Sequence, residues 1–180
     1  MKFTKLQIPE VILIEPRVFD DARGFFFESY RKDLFTKNGI AVDFIQDNHV
    51  RSEKGVLRGL HFQRPPKAQA KLVRVLRGSI YDVAVDIRKT SRTFGNYVGV
   101  TLKAEEKMML YIPAGFAHGY LTLEEDTEVL YKCSDVYDPE REGGVIWNDP
   151  AVAIQWPKLE RPFILSEKDQ KYPSLKTVSV

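Results

Sequence analysis

The stretch that decides the fold runs from Gly55 to Gly78 and reads GVLRGLHFQRPPKAQAKLVRVLRG. Its second half, from Lys71 to Arg77, is an alternating run that predicts a β-strand. His61 lies upstream of that strand, three residues after Arg58. An imidazole that titrates near neutral pH is a candidate proton acceptor, and nearby cations can hold an anion or a developing oxyanion. The alternative for these residues is a core histidine among solvated basic side chains.

Composition and charge limit the classes of partner. Hydrophobic residues make up 43% of the 180 residues and charged residues 29%, which is ordinary for a soluble globular protein and predicts one domain over 1–180. The net charge of +2, from 27 basic and 25 acidic residues, is too balanced to favour nucleic acid or an anionic membrane surface. Any anion binding must therefore be local.

Cysteine content and hydropathy bear on the compartment. Cys133 is the single cysteine, so an intrachain disulfide is excluded. No apolar run approaches the roughly 20 residues that span a bilayer, and the N-terminal MKFTKLQIPE lacks the apolar region of a signal peptide. We expect a cytoplasmic protein without a membrane partner.

Short strands follow Gly78 in quick succession, with turn residues between them. They are predicted over Ser79 to Ile87, Tyr97 to Leu102, Met108 to Ile112, Gly119 to Leu123, Glu128 to Tyr137 and Val145 to Trp147. This spacing is typical of an all-β sandwich or barrel, and the lack of strand–helix alternation argues against a doubly wound sheet. The tail from 151 to 180 reads as irregular, with a short helix at Ser166 to Gln170.

The first half combines extended segments, aromatic residues and one helix. Phe3 to Phe19 is broken by prolines and reads as extended chain, and Phe25-Phe26-Phe27 predicts either a strand with both faces in use or a stacking surface. Ser29 is placed to cap a helix over Tyr30 to Asn38, which Gly39 would end. A strand over Val42 to Val50 then leads into polar residues that suit either a sugar or base contact or a turn.

Two spacings resemble the motifs of the cupin superfamily. Gly55, His61, Lys71 and Gly78 follow its first motif, and Pro113 to His118 follows its second. Metal-binding cupins place His-x-His and Glu in the first motif and a further His in the second.

Here Gln63 and Lys71 replace the second His and the Glu. An ammonium group has no lone pair for a metal, and an amide is a weak ligand. His49 could restore one ligand, but a site of two histidines and a glutamine beside a cation would be poor. We therefore expect no metal.

The strand predicted over Glu128 to Tyr137 carries two tyrosines on one face. Side chains alternate along a strand, so Tyr131, Cys133 and Tyr137 would point the same way. A phenol can donate a proton to the enolate of a carbon acid. The alternative is that both tyrosines pack in the core with their hydroxyls satisfied.

Several longer motifs together resemble the dTDP-4-dehydrorhamnose 3,5-epimerase family, in order from about residue 10 to about residue 175. They are RGFF (23–26), QDNH (46–49), LRGLHFQ (57–63), AKLVR (70–74), YDVAVD (81–86), PAGFAHG (113–119) and LYK (130–132). The resemblance implies a cupin-type jelly roll with a few short helices. It also implies a homodimer that acts, without a cofactor, on a thymidine-diphosphate 4-keto-6-deoxyhexose.

The resemblance also implies roles for individual residues. His61 would be the base, with Asp169 on its other ring nitrogen, Tyr131 the proton donor from the opposite face, and Lys71 the cation beside the C4 oxygen. The C4 ketone acidifies C3 and C5, so a base on one face and an acid on the other can invert each centre. Tyr137 would position Tyr131 or the sugar.

For the nucleotide and sugar, the resemblance points to a wider set of polar residues. They are Arg23, Glu28, Gln46, Asp47, Asn48, Arg58, Lys71, His118, Tyr137, Glu142 and Lys168. Arg23 and Glu28 would reach into the partner subunit's site, and Phe26 would stack on thymine or pack. Three alternatives are an enzyme that epimerises only C3 or isomerises the ketone, a non-catalytic nucleotide-binding module, and a metal-dependent cupin oxygenase.

Overall fold

The computed structural model describes residues 1–178, and most of its regular structure is β-strand. Within that range one α-helix is present, α1 at Lys32–Lys37. The strands are β1 (Lys2–Lys5), β2 (Ile12–Glu15), β3 (Val18–Asp21), β4 (Gly24–Phe27), β5 (Gln46–Ser52), β6 (Leu57–Gln63), β7 (Lys71–Arg77), β8 (Ser79–Asp86), β9 (Tyr97–Lys103), β10 (Met109–Ile112), β11 (Phe116–Thr122), β12 (Thr127–Cys133) and β13 (Glu142–Gly144).

Two antiparallel sheets form the body of the protein. The six-stranded sheet has the order β1-β2-β10-β7-β12-β5, and the five-stranded sheet has the order β13-β6-β11-β8-β9. Strands β3 and β4 form a separate hairpin. Inward side chains of both sheets, among them Val73 and Ala84, share one buried cluster, so the sheets pack face to face. The predicted all-β sandwich is confirmed.

The outer faces of both sheets are also covered, which explains why β8 and β11 are buried along almost their whole length. Val152 and Leu175 of the C-terminal segment pack on Phe62 of β6. On the other side, Phe35 of α1 packs on Leu72 of β7.

A β-bulge in β6 sets the direction of two side chains that the sequence singled out. His61 pairs with His118, whereas Arg58 pairs with Tyr120, so β6 uses one more residue than β11 between these pairs. Three positions apart in a regular strand, Arg58 and His61 would point to opposite faces. The bulge turns both toward the space between the sheets.

Glycines allow the bulged strand to approach its neighbour closely. Gly59 has φ +136°, a conformation that disfavours any side chain. A Cβ built on Gly59 would lie 2.5 Å from Cα of Gly119, whose own Cβ would lie 2.7 Å from the Arg58 carbonyl oxygen. Larger residues at either position would push β6 away from β11.

The helix is shorter than the sequence predicted. It begins after Arg31, which is extended at φ −148° and ψ 115° and makes no capping hydrogen bond through its side chain, so the predicted Ser29 cap over Tyr30 to Asn38 is wrong. Tyr30 lies outside the helix, and its ring packs edge-on against Phe35 and Phe44. The predicted end is confirmed, since Gly39 has φ +89°.

The strand predicted over Glu128 to Tyr137 ends at Cys133. Local hydrogen bonds replace the ladder there: the Asp135 carboxylate accepts the Val136 N–H at 2.8 Å and the Lys67 ammonium at 3.0 Å. The alternation that placed Tyr137 with Tyr131 on one face therefore stops before Tyr137.

Three other element boundaries differ from the prediction. The strand expected over Val42 to Val50 is β5, which begins at Gln46. The strand expected over Val145 to Trp147 is wrong, because β13 covers Glu142–Gly144 and ends before Val145. The helix expected at Ser166 to Gln170 is a run of turns, in which the Ser166 hydroxyl accepts the Asp169 N–H at 3.1 Å.

Candidate active site

A cavity of about 370 Å³ occupies one end of the space between the sheets. Strands β5, β7 and β12 supply one wall, and β6 and β13 supply the other. The lining residues are Gln46, Asn48, His61, Phe62, Gln63, Gln69, Lys71, Tyr131, Cys133, Tyr137 and Glu142.

His61 is held by a carboxylate from a distant part of the chain. Its Nε2 lies 2.6 Å from Oδ1 of Asp169, whose side chain is only 5% exposed. Burial by itself raises the pKa of the Asp169 carboxyl, but hydrogen bonds from His61, Ser166 and the Gly59 N–H outweigh it and hold that pKa below its usual value. An ionised carboxylate fixes a proton on Nε2 and leaves Nδ1 with a lone pair.

A tyrosine that the sequence did not single out packs beside this pair. The ring of Tyr172 contacts the His61 ring edge-on at 5.6 Å between centroids, and it fills the space where a side chain at Gly144 would sit. Burial raises the pKa of Tyr172 to about 12. Tyr172 is therefore a neutral phenol at neutral pH, and its ring limits the rotation of the His61 imidazole.

A second cavity, of about 550 Å³, lies on the other side of His61. It is lined by His61 and Asp169 together with Arg58, Lys168 and residues of the 164–166 segment. Arg58 donates through Nε to the Ser52 hydroxyl at 3.1 Å. His61 thus forms part of the wall between two spaces, whereas Arg58 lines only the second.

Lys71, from the start of β7, reaches the first cavity from the opposite sheet. Its Nζ lies 3.5 Å from Nδ1 of His118, and within residues 1–178 it has no carboxylate at salt-bridge distance. Burial lowers the pKa of Lys71. His118 lies behind Lys71, with its Nε2 2.6 Å from Oδ1 of the fully buried Asp82. Sequence reasoning had not singled out Asp82.

Tyr131 and Cys133 stand beside Lys71 on β12, on the face that alternation predicted. The hydroxyl of Tyr131 has no hydrogen-bond partner within the described part of the chain. Burial raises the pKa of Tyr131 and also that of Cys133. Both groups are therefore protonated at neutral pH, and the Tyr131 hydroxyl is free to donate to a bound molecule.

The rim of the cavity carries a connected polar network. Gln46 accepts the backbone N–H of Tyr137 at 2.8 Å and donates to Asn48 at 3.2 Å. The Tyr137 hydroxyl donates to one oxygen of Glu142 at 3.1 Å, and Lys168 donates to the other at 2.7 Å. Five of the residues implied by the family resemblance therefore meet at one edge of the cavity.

Gln63 uses its whole amide to hold the loop that presents Tyr137. Its Nε2 donates to the carbonyls of Lys67 at 2.7 Å and Val136 at 3.2 Å, and its Oε1 accepts the N–H of Asp138 at 2.7 Å. A residue at a cupin ligand position thus serves to shape the rim.

Asp47, Arg23 and Glu28, which the resemblance also implied, lie away from both cavities. Asp47 points outward because it alternates with Gln46 and Asn48, and it pairs with Lys132 at 2.9 Å. Arg23 is 90% exposed at the tip of the β3–β4 hairpin, where it pairs with Asp21. Glu28 lines a separate surface cavity with Phe26.

Among residues 1–178, no group of three or more His, Cys, Asp or Glu side chains could hold a metal ion. His49 points to the outside, where it contacts Glu128 at 3.0 Å. In the same range, no helix is long and apolar enough to cross a membrane.

Comparison with known proteins identifies the family. The family model for dTDP-4-dehydrorhamnose 3,5-epimerase matches residues 5–177. The chain belongs to the dTDP-4-dehydrorhamnose 3,5-epimerase family. The family member from Salmonella typhimurium is 55% identical over 172 residues, which cover 95% of this chain and 93% of that protein. Members are carbohydrate epimerases, so the predicted isomerase class is confirmed.

Solved structures of epimerases share the fold. The dTDP-6-deoxy-D-glucose-3,5-epimerase of Legionella pneumophila, solved with dTDP-4-keto-L-rhamnose, superposes with a TM-score of 0.95 at 46% identity over 99% of this chain and 94% of that chain. A 3'-monoepimerase from Streptomyces bikiniensis, solved with dTDP-quinovose, superposes with a TM-score of 0.89 at 36% identity over 96% and 87%. The predicted cupin-type jelly roll is thereby confirmed.

Proposed function

We propose that this epimerase inverts C3 and C5 of dTDP-4-dehydro-6-deoxy-D-glucose and so forms dTDP-4-dehydro-L-rhamnose for rhamnose biosynthesis. The observation that carries the proposal is the placement of His61 and Tyr131 on opposite walls of one cavity. A sugar ring between them meets a base on one face and an acid on the other.

His61 is the proton acceptor in this proposal. With Asp169 holding a proton on Nε2, the Nδ1 lone pair can take the proton from C3 or C5, each of which is acidified by the C4 ketone. The carboxylate then stabilises the imidazolium. Tyr131, kept protonated by burial, returns a proton to the opposite face of the same carbon.

Lys71 stabilises the enolate that links the two steps. The enolate places negative charge on the C4 oxygen, and an ammonium group in a buried site stabilises that charge far better than water does. Lys71 lies on the wall that also carries Tyr131. One carbonyl and one cation therefore serve both stereocentres without a cofactor.

The rim network binds the nucleotide. Tyr137 is 52% exposed and lies beside Gln46 and Asn48. The side-chain amides of these two residues can hydrogen-bond a base. Lys168, at the same rim, can bind a phosphate. This assignment is supported by the relative from Legionella pneumophila, which was solved with a dTDP-sugar.

Deuterium exchange tests the reaction directly. Incubation of the pure protein with the 4-keto sugar nucleotide in D₂O should place deuterium at both C3 and C5, detected by proton NMR of the recovered nucleotide. Exchange at neither carbon would contradict the proposal. Label at C3 alone would instead favour a C3-specific epimerase, a second candidate that the structural match to a 3'-monoepimerase supports.

The proposal includes a homodimer in which Arg23 and Glu28 complete the partner's site. Arg23 is almost fully exposed on its own subunit, and the hairpin around it displays Phe19, Phe25 and Phe26, each at least half exposed. A hairpin with this apolar surface is expected to be covered by another chain.

Subunit mixing tests the shared site. We expect Arg23→Ala and His61→Gln to be nearly inactive alone, whereas mixed subunits should recover about a quarter of the wild-type activity, because half of the dimers are mixed and each has one intact site. Activity would be measured after denaturing and refolding the two variants together. If Arg23 acts within its own subunit, mixing restores nothing and the shared site is wrong.

A further inference from the structure

A buried carboxylate lies at the end of a chain of contacts that reaches the cavity through Lys71. Asp82 and His118 project inward from the neighbouring strands β8 and β11, and their side chains are 0% and 5% exposed. Oδ1 of Asp82 lies 2.6 Å from Nε2 of His118, and Nδ1 of His118 faces the Lys71 Nζ. The contacts run from Asp82 through the imidazole to the ammonium group.

The carboxylate determines which nitrogen of His118 carries the proton. A carboxylate oxygen accepts hydrogen bonds, so Nε2 must be the N–H, and Nδ1 then offers a lone pair to Lys71. Burial, with a further contribution from Lys71, lowers the pKa of His118 although Asp82 acts in the opposite direction, and this favours the neutral ring. A neutral His118 ring can donate to Asp82 and accept from Lys71 at the same time, and it adds no second positive charge beside the ammonium group.

The same carboxylate compensates the burial of Lys71. The ionisable groups that face Lys71 are Cys133 and Tyr131 of β12, His118 of β11, Asp82 of β8 and Glu142 of β13. The thiol and the phenol are neutral at neutral pH, which leaves Asp82 and Glu142 as the anions. Glu142 is already shared between Lys168 and Tyr137, whereas Oδ2 of Asp82 has no partner among the described residues.

We propose that Asp82 is a positioning residue that acts through His118 to keep Lys71 an ammonium ion aimed into the cavity. This inference rests on the proposed function, in which that ammonium group stabilises the enolate. It assigns a catalytic consequence to a residue that cannot itself touch the sugar, since Asp82 is fully buried behind His118.

Asp82→Asn removes the charge and keeps the shape. The amide oxygen can still accept the His118 N–H, so loss of the anion is the main change. An ammonium group without its anion deprotonates more readily, so the pKa of Lys71 should fall by about one unit. This pKa would be measured by following the ¹³Cε NMR signal of Lys71 with pH. The signal would be assigned by its absence in Lys71→Arg. Because this signal needs no turnover, the result stands whether or not the protein epimerises the sugar.

The pH profile of turnover gives a second readout. If Lys71 must be protonated, the high-pH limb of the C3 and C5 exchange rate should move to lower pH in Asp82→Asn, with little change in the affinity for dTDP. Asp86→Asn is the matched control, because Asp86 is equally buried on the same strand but pairs with Arg88, Ser91 and Thr93. An unchanged Lys71 titration in Asp82→Asn, or an equal shift in Asp86→Asn, would overturn the proposal.

A measurement on the wild-type protein guards against variants that fold poorly. The sequence contains three histidines, so their ring nitrogens can be resolved by ¹⁵N NMR. We expect His118 to be the neutral Nε2–H tautomer from about pH 6 to about pH 9. An Nδ1–H tautomer or an imidazolium at neutral pH would show that His118 cannot accept a hydrogen bond from Lys71, and the inference would fail.

Discussion

His61→Gln is expected to abolish deuterium exchange at both C3 and C5, with a loss of at least about a hundredfold and up to about ten-thousandfold. The glutamine amide can take the place of Nε2 and donate to Asp169, so the buried carboxylate keeps a partner. It has no lone pair that is basic enough to accept a proton from carbon. Exchange would be followed by NMR, and the affinity for dTDP by calorimetry.

The affinity for dTDP should stay close to that of the wild type, because the rim network proposed to bind the nucleotide does not include His61. His49→Gln is the matched control. The side chain of His49 is 52% exposed, lies on the outer face of the sheet and pairs with Glu128, so its loss should leave exchange intact. Substantial exchange by His61→Gln would remove His61 from its proposed role.

Tyr131→Phe is expected to separate proton removal from inversion. The variant keeps the ring and its packing but lacks the hydroxyl proposed to return a proton from the wall opposite His61. Formation of the inverted sugar should fall by about a hundredfold or more. Deuterium should still enter C3 and C5 with the original configuration, because His61 can remove a proton and return one to the same face.

The two outcomes can be read from one sample, by comparing the deuterium content with the coupling constants of the sugar ring. Tyr111→Phe is a suitable control, since Tyr111 is a buried tyrosine that packs on the outer side of the six-stranded sheet with Phe35. Unchanged inversion in Tyr131→Phe would refute the assignment of Tyr131 as the acid.

Alternation along strands predicted the part of the candidate site that lies on regular β-structure. Lys71, Tyr131 and Cys133 project into the cavity because β12 pairs with β7 without a register shift from Val129 to Cys133, so the period of two holds there. The same rule was wrong at Tyr137, because the strand ends at Cys133. Tyr137 reaches the site from a loop that Gln63 holds by three hydrogen bonds. Side-chain bonds to the backbone of a loop leave no periodic signal in a sequence.

Strand and helix patterns in the sequence do not predict which residues far apart in the chain come into contact. Asp169 meets His61 across 108 residues, and only the family resemblance suggested the contact. Asp82 could have been found from the sequence if the pairing of β8 with β11 had been known, since Asp82 lies two residues from the partner of His118. Alternation fixes the face of a strand, but not its neighbour or its register.

The position of His61 between two cavities has a consequence for the fate of the protons. A sugar nucleotide in the first cavity covers one side of the imidazole and leaves the second cavity, which His61 and Asp169 also line, on the other side. Solvent then reaches the base without passing the bound sugar. A proton that His61 returns to its own face of the sugar could therefore come from the medium before the product leaves, so isotope entry with retained configuration would report enolate formation separately from product release.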